Sequence, residues 1–159
     1  MTIRVLTVAS ILLACLSVPH LAGAQSVLSQ GLWISRSELM ALPTSGTAWN
    51  NLNTAAQQSC GTTDLSDQED QTNVCVMAKA LVFARTGNTS MRQGVISAIT
   101  AIVNSGTYNG RALAIGRELG AYPIAADLID LKNYDPSLNS RFRSKLTQLL
   151  TTYTNSGPK

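Results

Sequence analysis

The sequence is poor in the residues that most often carry chemistry. Of 159 residues one is histidine and three are cysteine, aromatic residues make up 5% and charged residues 13%. The single histidine, His20, falls in a stretch that reads as a removable secretory leader, so the chain that remains has none. That excludes zinc sites built on histidine, Ser/His/Asp and Cys/His nucleophile systems, and any histidine general base. There is no Gly-rich phosphate loop, no nucleotide fingerprint and no patch of interleaved basic and aromatic residues. No cofactor and no nucleic-acid partner are therefore expected. Beyond the leader no run of about 18 uncharged apolar residues occurs, so no membrane-spanning segment is expected after leader removal. The formal charge of +3, from 12 Lys+Arg against 9 Asp+Glu, is a small imbalance, and 45% hydrophobic residues separate the chain from disordered polar tracts.

What is present begins with residues 1–24. Arg4 closes a short positive region, an apolar core runs from Val5 to Val18, and Ala22-Gly23-Ala24 offers small residues for cleavage. This predicts a secreted or periplasmic product covering residues 25–159, one domain's worth of sequence. A second processing route is open, because Leu12-Leu13-Ala14-Cys15 loosely resembles a lipobox that would make Cys15 a lipidated terminus; Leu13 fits it poorly.

Export leaves Cys60 and Cys75 as the two thiols of the product, and a disulfide between them is expected. They bracket the polar, acidic stretch from Gly61 to Asp70, which has neither helical nor strand period. A redox-active pair is the other reading, against the absence of C-x-x-C spacing. Asp67, Glu69 and Asp70 read either as calcium ligands or as a solvated loop; they lack a spaced ligand series, and no metal site is expected.

Downstream, apolar residues recur three and four apart, which predicts an all-α chain with no strand. Ser35-Arg36-Ser37-Glu38 is a capping box for a short helix stopped by Pro43. A second helix after Gly46 carries Trp49, Leu52, Ala55 and Ala56, a third runs from about Val74 to Thr86-Gly87-Asn88, and a fourth from about Thr89 to Asn104. One long, very apolar fifth helix is predicted from about Arg111 to Leu131, and Asp135-Pro136 opens a sixth with Leu138, Phe142, Leu146, Leu149 and Leu150. A 47-residue offset superposes apolar faces: Ala78, Leu81 and Val82 fall on Ala125, Leu128 and Ile129, and Val95, Ile99, Ile102 and Val103 fall on Phe142, Leu146, Leu149 and Leu150. The expected architecture is stacked antiparallel helix pairs, an incomplete α/α toroid or a short α-solenoid. Chance registration of amphipathic helices is the alternative.

Several segments also carry a family resemblance. Leu32 to Leu39, Ala41 to Gly46, Ala48-Trp49, Asp64 to Gln68, Ala78 to Gly87 and Ile124 to Leu131 resemble the amino-terminal part of secreted alginate-lyase-like proteins, over roughly Leu32 to Phe142. The resemblance implies an α/α toroid that cleaves uronic-acid polysaccharides by β-elimination, with acidic polysaccharide as partner. Relatives are about twice as long, and their catalytic Asn and His lie mostly beyond the matched region; no Asn-His pair occurs here. β-Elimination needs a group that neutralises the uronate carboxylate, a base for the C5 proton and an acid for the leaving oxygen, roles that Arg and Tyr can fill. Tyr122, five residues after Arg117, is the candidate catalytic residue, set against the reading of a core side chain with its hydroxyl at a polar edge. Arg111 and Arg117 are candidate substrate-binding residues. Arg111 shares a helix face with Ala114 and Glu118, either an inner wall toward an anionic sugar or a solvated face. Two functions are thus expected: a polysaccharide lyase whose main catalytic residues are missing from this chain, or a non-catalytic helical-repeat module binding glycan or protein, with Trp33 or Trp49 stacking on sugar rings.

Overall fold

The computed structural model describes residues 31–106, 108 and 112–154, and every regular element among them is a helix. In chain order these are α1 (Arg36–Ala41), α2 (Gly46–Gln57), α3 (Thr72–Thr86), α4 (Thr89–Asn104), α5 (Ala112–Leu119), α6 (Ala121–Leu128), α7 (Leu131–Tyr134) and α8 (Pro136–Thr154). The segment expected to be a leader, with Cys15 in it, lies outside the described residues. No helix among the described residues is long and apolar enough to cross a membrane.

Helix ends follow the polar residues that can satisfy orphan backbone groups. At α1 the Ser35 hydroxyl accepts the Glu38 amide at 3.2 Å while the Ser35 amide donates to Glu38 Oε2 at 3.0 Å, the reciprocal capping box. α3 ends where Gly87 turns left-handed (φ 72°) and its amide donates to the Phe83 carbonyl at 2.7 Å. Asn88 then caps α4, its side-chain oxygen accepting the Ser90 amide at 3.0 Å. Asp135 does the same for α8, accepting the Leu138 amide at 2.8 Å ahead of first-turn Pro136.

The single helix expected over 111–131 is instead α5, α6 and the start of α7. The first break is Gly120. Pro123 follows in the first turn of α6, where its missing N–H costs no intrahelical bond, so the helix restarts there rather than kinking. The second break is at Ile129 and Asp130, with Asp130 in the left-handed region (φ 53°). Apolar periodicity conceals both, because Tyr122, Ala125, Ile129 and Leu131 stay buried across the interruptions.

α3 is the centre of the packing, with α2, α4 and α6 against it; α4 also meets α8, and α7 bridges α6 and α8. The helices that the 47-residue offset superposes are therefore neighbours, α3 with α6 and α4 with α8. Equivalent positions are buried together: Ala78 and Ala125, Val82 and Ile129, Val95 and Phe142, Ile102 and Leu149. Small residues set the close approach. Ala78 and Ala80 lie on α3, and at Gly94 a Cβ would come within 2.7 Å of the Lys79 side chain. Lys79 passes through that gap to donate to the carbonyls of Ala56 (2.6 Å) and Gln58 (2.9 Å), holding the end of α2; burial pushes its ammonium below the ordinary value.

Cys60 and Cys75 form a disulfide, Cα to Cα 5.3 Å, across a sequence separation of 15. Inside the closed loop Leu65 is fully buried, and the buried Thr72 hydroxyl donates toward the Cys60 carbonyl (2.9 Å) and Asp70 Oδ1 (2.7 Å). A loop of this length gains roughly 3 kcal/mol from closure in the chain-entropy account. Replacing both cysteines by serine is expected to lower the unfolding free energy by about that amount in urea titration. A loss below about 0.5 kcal/mol would show that Leu65 and Thr72 fix the loop unaided.

Candidate functional site

Glu118 and Tyr122 stand on either side of the break at Gly120, both buried. The Tyr122 hydroxyl has no exposed surface and donates to Thr63 Oγ1 at 3.2 Å, tying α6 to the disulfide loop. Burial raises its pKa to about 12; the bond to Thr63 acts in the opposite direction, and the negative charge of Asp70, Tyr108 and Glu118 adds to the rise. A hydroxyl so placed keeps its proton at neutral pH and has no open path to a polymer. The geometry is that of a core tyrosine with its polar end at the loop.

The two arginines named with it are elsewhere. Arg111 lies outside the described residues. Arg117 has a side chain 59% exposed, and its Nε lies 3.6 Å from Glu118 Oε1. Among the described residues no hydrogen bond or ion pair joins Arg117 to Tyr122. Trp33 is 60% exposed, whereas Trp49 packs against the core.

Glu118 corrects the solvated-face reading: only 1% of it is exposed, and neither carboxyl oxygen has a hydrogen-bond partner among the described residues. Burial pushes its pKa up, Arg117 opposes this, and Asp70, Asp67 and Glu69 across the loop reinforce it. The sequence signal was its apolar company, Ala114, Ile115 and Leu119, which share its buried face. The loop carboxylates are themselves in use. Asp64, Asp67 and Asp70 accept the amides of Ser66 (2.8 Å), Glu69 (2.9 Å) and Thr72 (2.9 Å), closing short turns. For Asp70, burial alone would raise the pKa, but the Thr72 hydroxyl with the Asp64, Thr72 and Gln71 amides together hold it below the ordinary value. Among the described residues no group of three or more His, Cys, Asp or Glu side chains is arranged to hold a metal ion.

The feature that sequence reasoning missed is on α8. This helix carries Arg141, Arg143 and Lys145 and no carboxylate. Arg141, Ser144, Lys145 and Gln148 recur at helical spacing along one face, and with Ser105 and Ser140 they line an open groove of about 520 Å³ beside the end of α4. Lys145 is buried at its floor, donating to the carbonyls of Ser105 (2.7 Å) and Gly106 (2.9 Å). Exposed Arg141 is left as the cation at the mouth, surrounded by hydroxyl and amide groups. The signal lay in the sequence as an acid-free stretch after Asp135. Comparison with protein-family models, curated proteins and solved structures finds no match to this chain.

The Glu118 environment fixes a pH dependence. Its folded-state pKa stands above the 4.5 of an unperturbed Glu, so between those values the folded state binds more protons than the unfolded, and stability falls as pH rises. Asp70 acts oppositely and lower: its stabilisation is lost as pH drops through its depressed value, below 3.8. Glu118→Gln is expected to be more stable than wild type at pH 7 and to lack much of the decline in melting temperature above pH 4.5. Thermal melts in that range check this; parallel profiles would contradict it.

Proposed function

We propose that the chain is an exported helical-repeat module that binds acidic glycans without cleaving them. The observation that carries this reading is the α8 groove: an exposed guanidinium, Arg141, above hydroxyl and amide side chains, on a helix with no carboxylate to repel an anion. A guanidinium offers paired N–H donors that match a carboxylate in the plane, and serine and glutamine side chains suit the hydroxyls of a sugar. The buried Lys145 ammonium adds positive potential beneath. The disulfide is compatible with an oxidising compartment, as export requires. The resemblance to alginate-lyase-like proteins supplies the substrate class, a uronate polymer. Burial of Tyr122 argues against turnover, since a base for the C5 proton must reach the sugar.

Calorimetric titration with polyuronate and with a neutral glucan tests it. Binding to polyuronate should weaken with salt, the neutral polymer should bind poorly, and Arg141→Ala should reduce polyuronate affinity by about tenfold. Incubation with the polymer should give no ultraviolet absorbance from an unsaturated sugar. Equal affinity for both polymers would overturn the glycan reading. Product formation abolished by Tyr122→Phe would restore the lyase reading.

A further inference from the structure

The disulfide borders an open groove of about 340 Å³ between the acidic loop and α4. Gly94, Ser97, Ala98 and Ala101 form the α4 wall, and Cys60 and Thr63 lie on the loop side. Small side chains at helical spacing leave that wall without bulk, so the groove reaches Cys60 from solvent. Both cysteines are half-buried, but Cys60 lines the groove and Cys75 is not among its lining residues.

What surrounds Cys75 suits a departing thiolate. This residue lies in the first turns of α3, the end of a helix at which negative charge is favoured. Lys79 is one turn further along the same helix. Its ammonium donates to the Gln58 carbonyl at 2.9 Å, and Cys75 Sγ lies 3.7 Å from that same oxygen. The carbonyl by itself would repel a thiolate, and the lysine charge offsets it. A cation beside a sulfur stabilises its ionised form, and the more readily a thiol ionises the faster it leaves a disulfide. Access and leaving ability therefore fall on different sulfurs, Cys60 for the first and Cys75 for the second. Exchange needs that division, because one sulfur is attacked while the other is expelled.

We propose that Cys60–Cys75 is a thiol-exchange site, attacked at Cys60 by a small thiol that enters along this groove. The thiol loses its proton to water, and its sulfur bonds to Cys60 Sγ as the bond from Cys60 to Cys75 breaks. The electron pair of that bond leaves on Cys75, whose thiolate takes up a proton from water. One disulfide replaces another, so no further oxidant or reductant takes part. The product carries the small thiol on Cys60 and a free thiol at Cys75. Thr63, which accepts the Tyr122 hydroxyl, sits in the segment that this step opens, so exchange loosens the hold of the loop on α6. The glycan reading is not involved, since its groove is formed by α8 and the end of α4.

The test uses millimolar glutathione on the folded protein, with acid quenching at early times, alkylation of released thiols and peptide mass spectrometry. Glutathione should be found on the Cys60 peptide at least about ten times as often as on the Cys75 peptide, with Cys75 recovered alkylated. In denaturing urea the preference should vanish, because the groove and the lysine then no longer distinguish the sulfurs. Ser97→Phe, an exposed change on α4, fills the groove and should slow attack on Cys60 at least about fivefold. Lys79→Met should slow it about threefold by removing the charge beside the leaving sulfur. Lys79 also holds the end of α2, so circular dichroism accompanies this variant. If it is unfolded, the wild-type distribution and Ser97→Phe decide alone. Glutathione shared equally by the two cysteines or carried mainly on Cys75 would overturn the proposal. So would a folded protein that resists glutathione while the urea-unfolded one reacts, or a folded Ser97→Phe variant that reacts as fast as wild type.

Discussion

Three helices can close around α3 only where its side chains let them near, and the remaining structure depends on that approach. Ala78 and Ala80 are buried on it, and Gly94 on the neighbouring α4 leaves room for the Lys79 stem to cross toward α2. Both ends of α3 then serve as anchors. Cys75 in its first turns holds the acidic loop through the disulfide, and Arg85 in its last turn donates to the Leu42 carbonyl at 2.8 Å, fixing the end of α1. The helix has weak amphipathicity for a simple reason: a helix covered from several directions needs apolar residues on several faces.

Charge is segregated over this frame. The disulfide loop holds Asp64, Asp67, Glu69 and Asp70, while α8 holds three cations and no carboxylate. Two lysines are spent on structure in the same way: Lys79 meets the last carbonyls of α2, and Lys145 meets the carbonyls that follow α4. Each joins one helix to the C-terminal end of another, where the helix dipole favours a cation. Glu118 is the counterexample, a buried carboxyl whose oxygens have no hydrogen-bond partner among the described residues and whose neighbouring cation, Arg117, is largely in solvent. Its burial at the α5–α6 break destabilises the ionised form, which makes this junction sensitive to proton concentration.

The sequence made the helix ends legible wherever a side chain does the capping. Ser35 with Glu38, Asn88 after Gly87, and Asp135 before Pro136 all act as their residue types predict. The disulfide was legible from two thiols in a chain expected to be exported, and the packing of α3 on α6 and α4 on α8 from repeated apolar spacing. The breaks around α6 were not, because both leave the apolar pattern intact, and at the first Gly120 even keeps right-handed helical angles, whereas at the second Asp130 turns left-handed. Site residues were harder still. Spacing puts Arg111, Ala114 and Glu118 on one face but does not say which way that face points, and Glu118 points inward. Tyr122 is buried, as a core side chain would be, whereas Arg141 carries no local signal because a groove between α4 and α8 is a tertiary feature that no local pattern contains.

α3 organises the fold, with α2, α4 and α6 closed around it. Native-state hydrogen exchange tests this most directly, since protection reports how much of the structure must open before an amide meets solvent. The amides of Val76, Ala80 and Val82 should exchange only through global unfolding, while those of α1 and α5 exchange through local opening at far lower free energy. If α3 exchanged as readily as α5, or if α8 alone carried global protection, the account of a fold built around α3 would be contradicted.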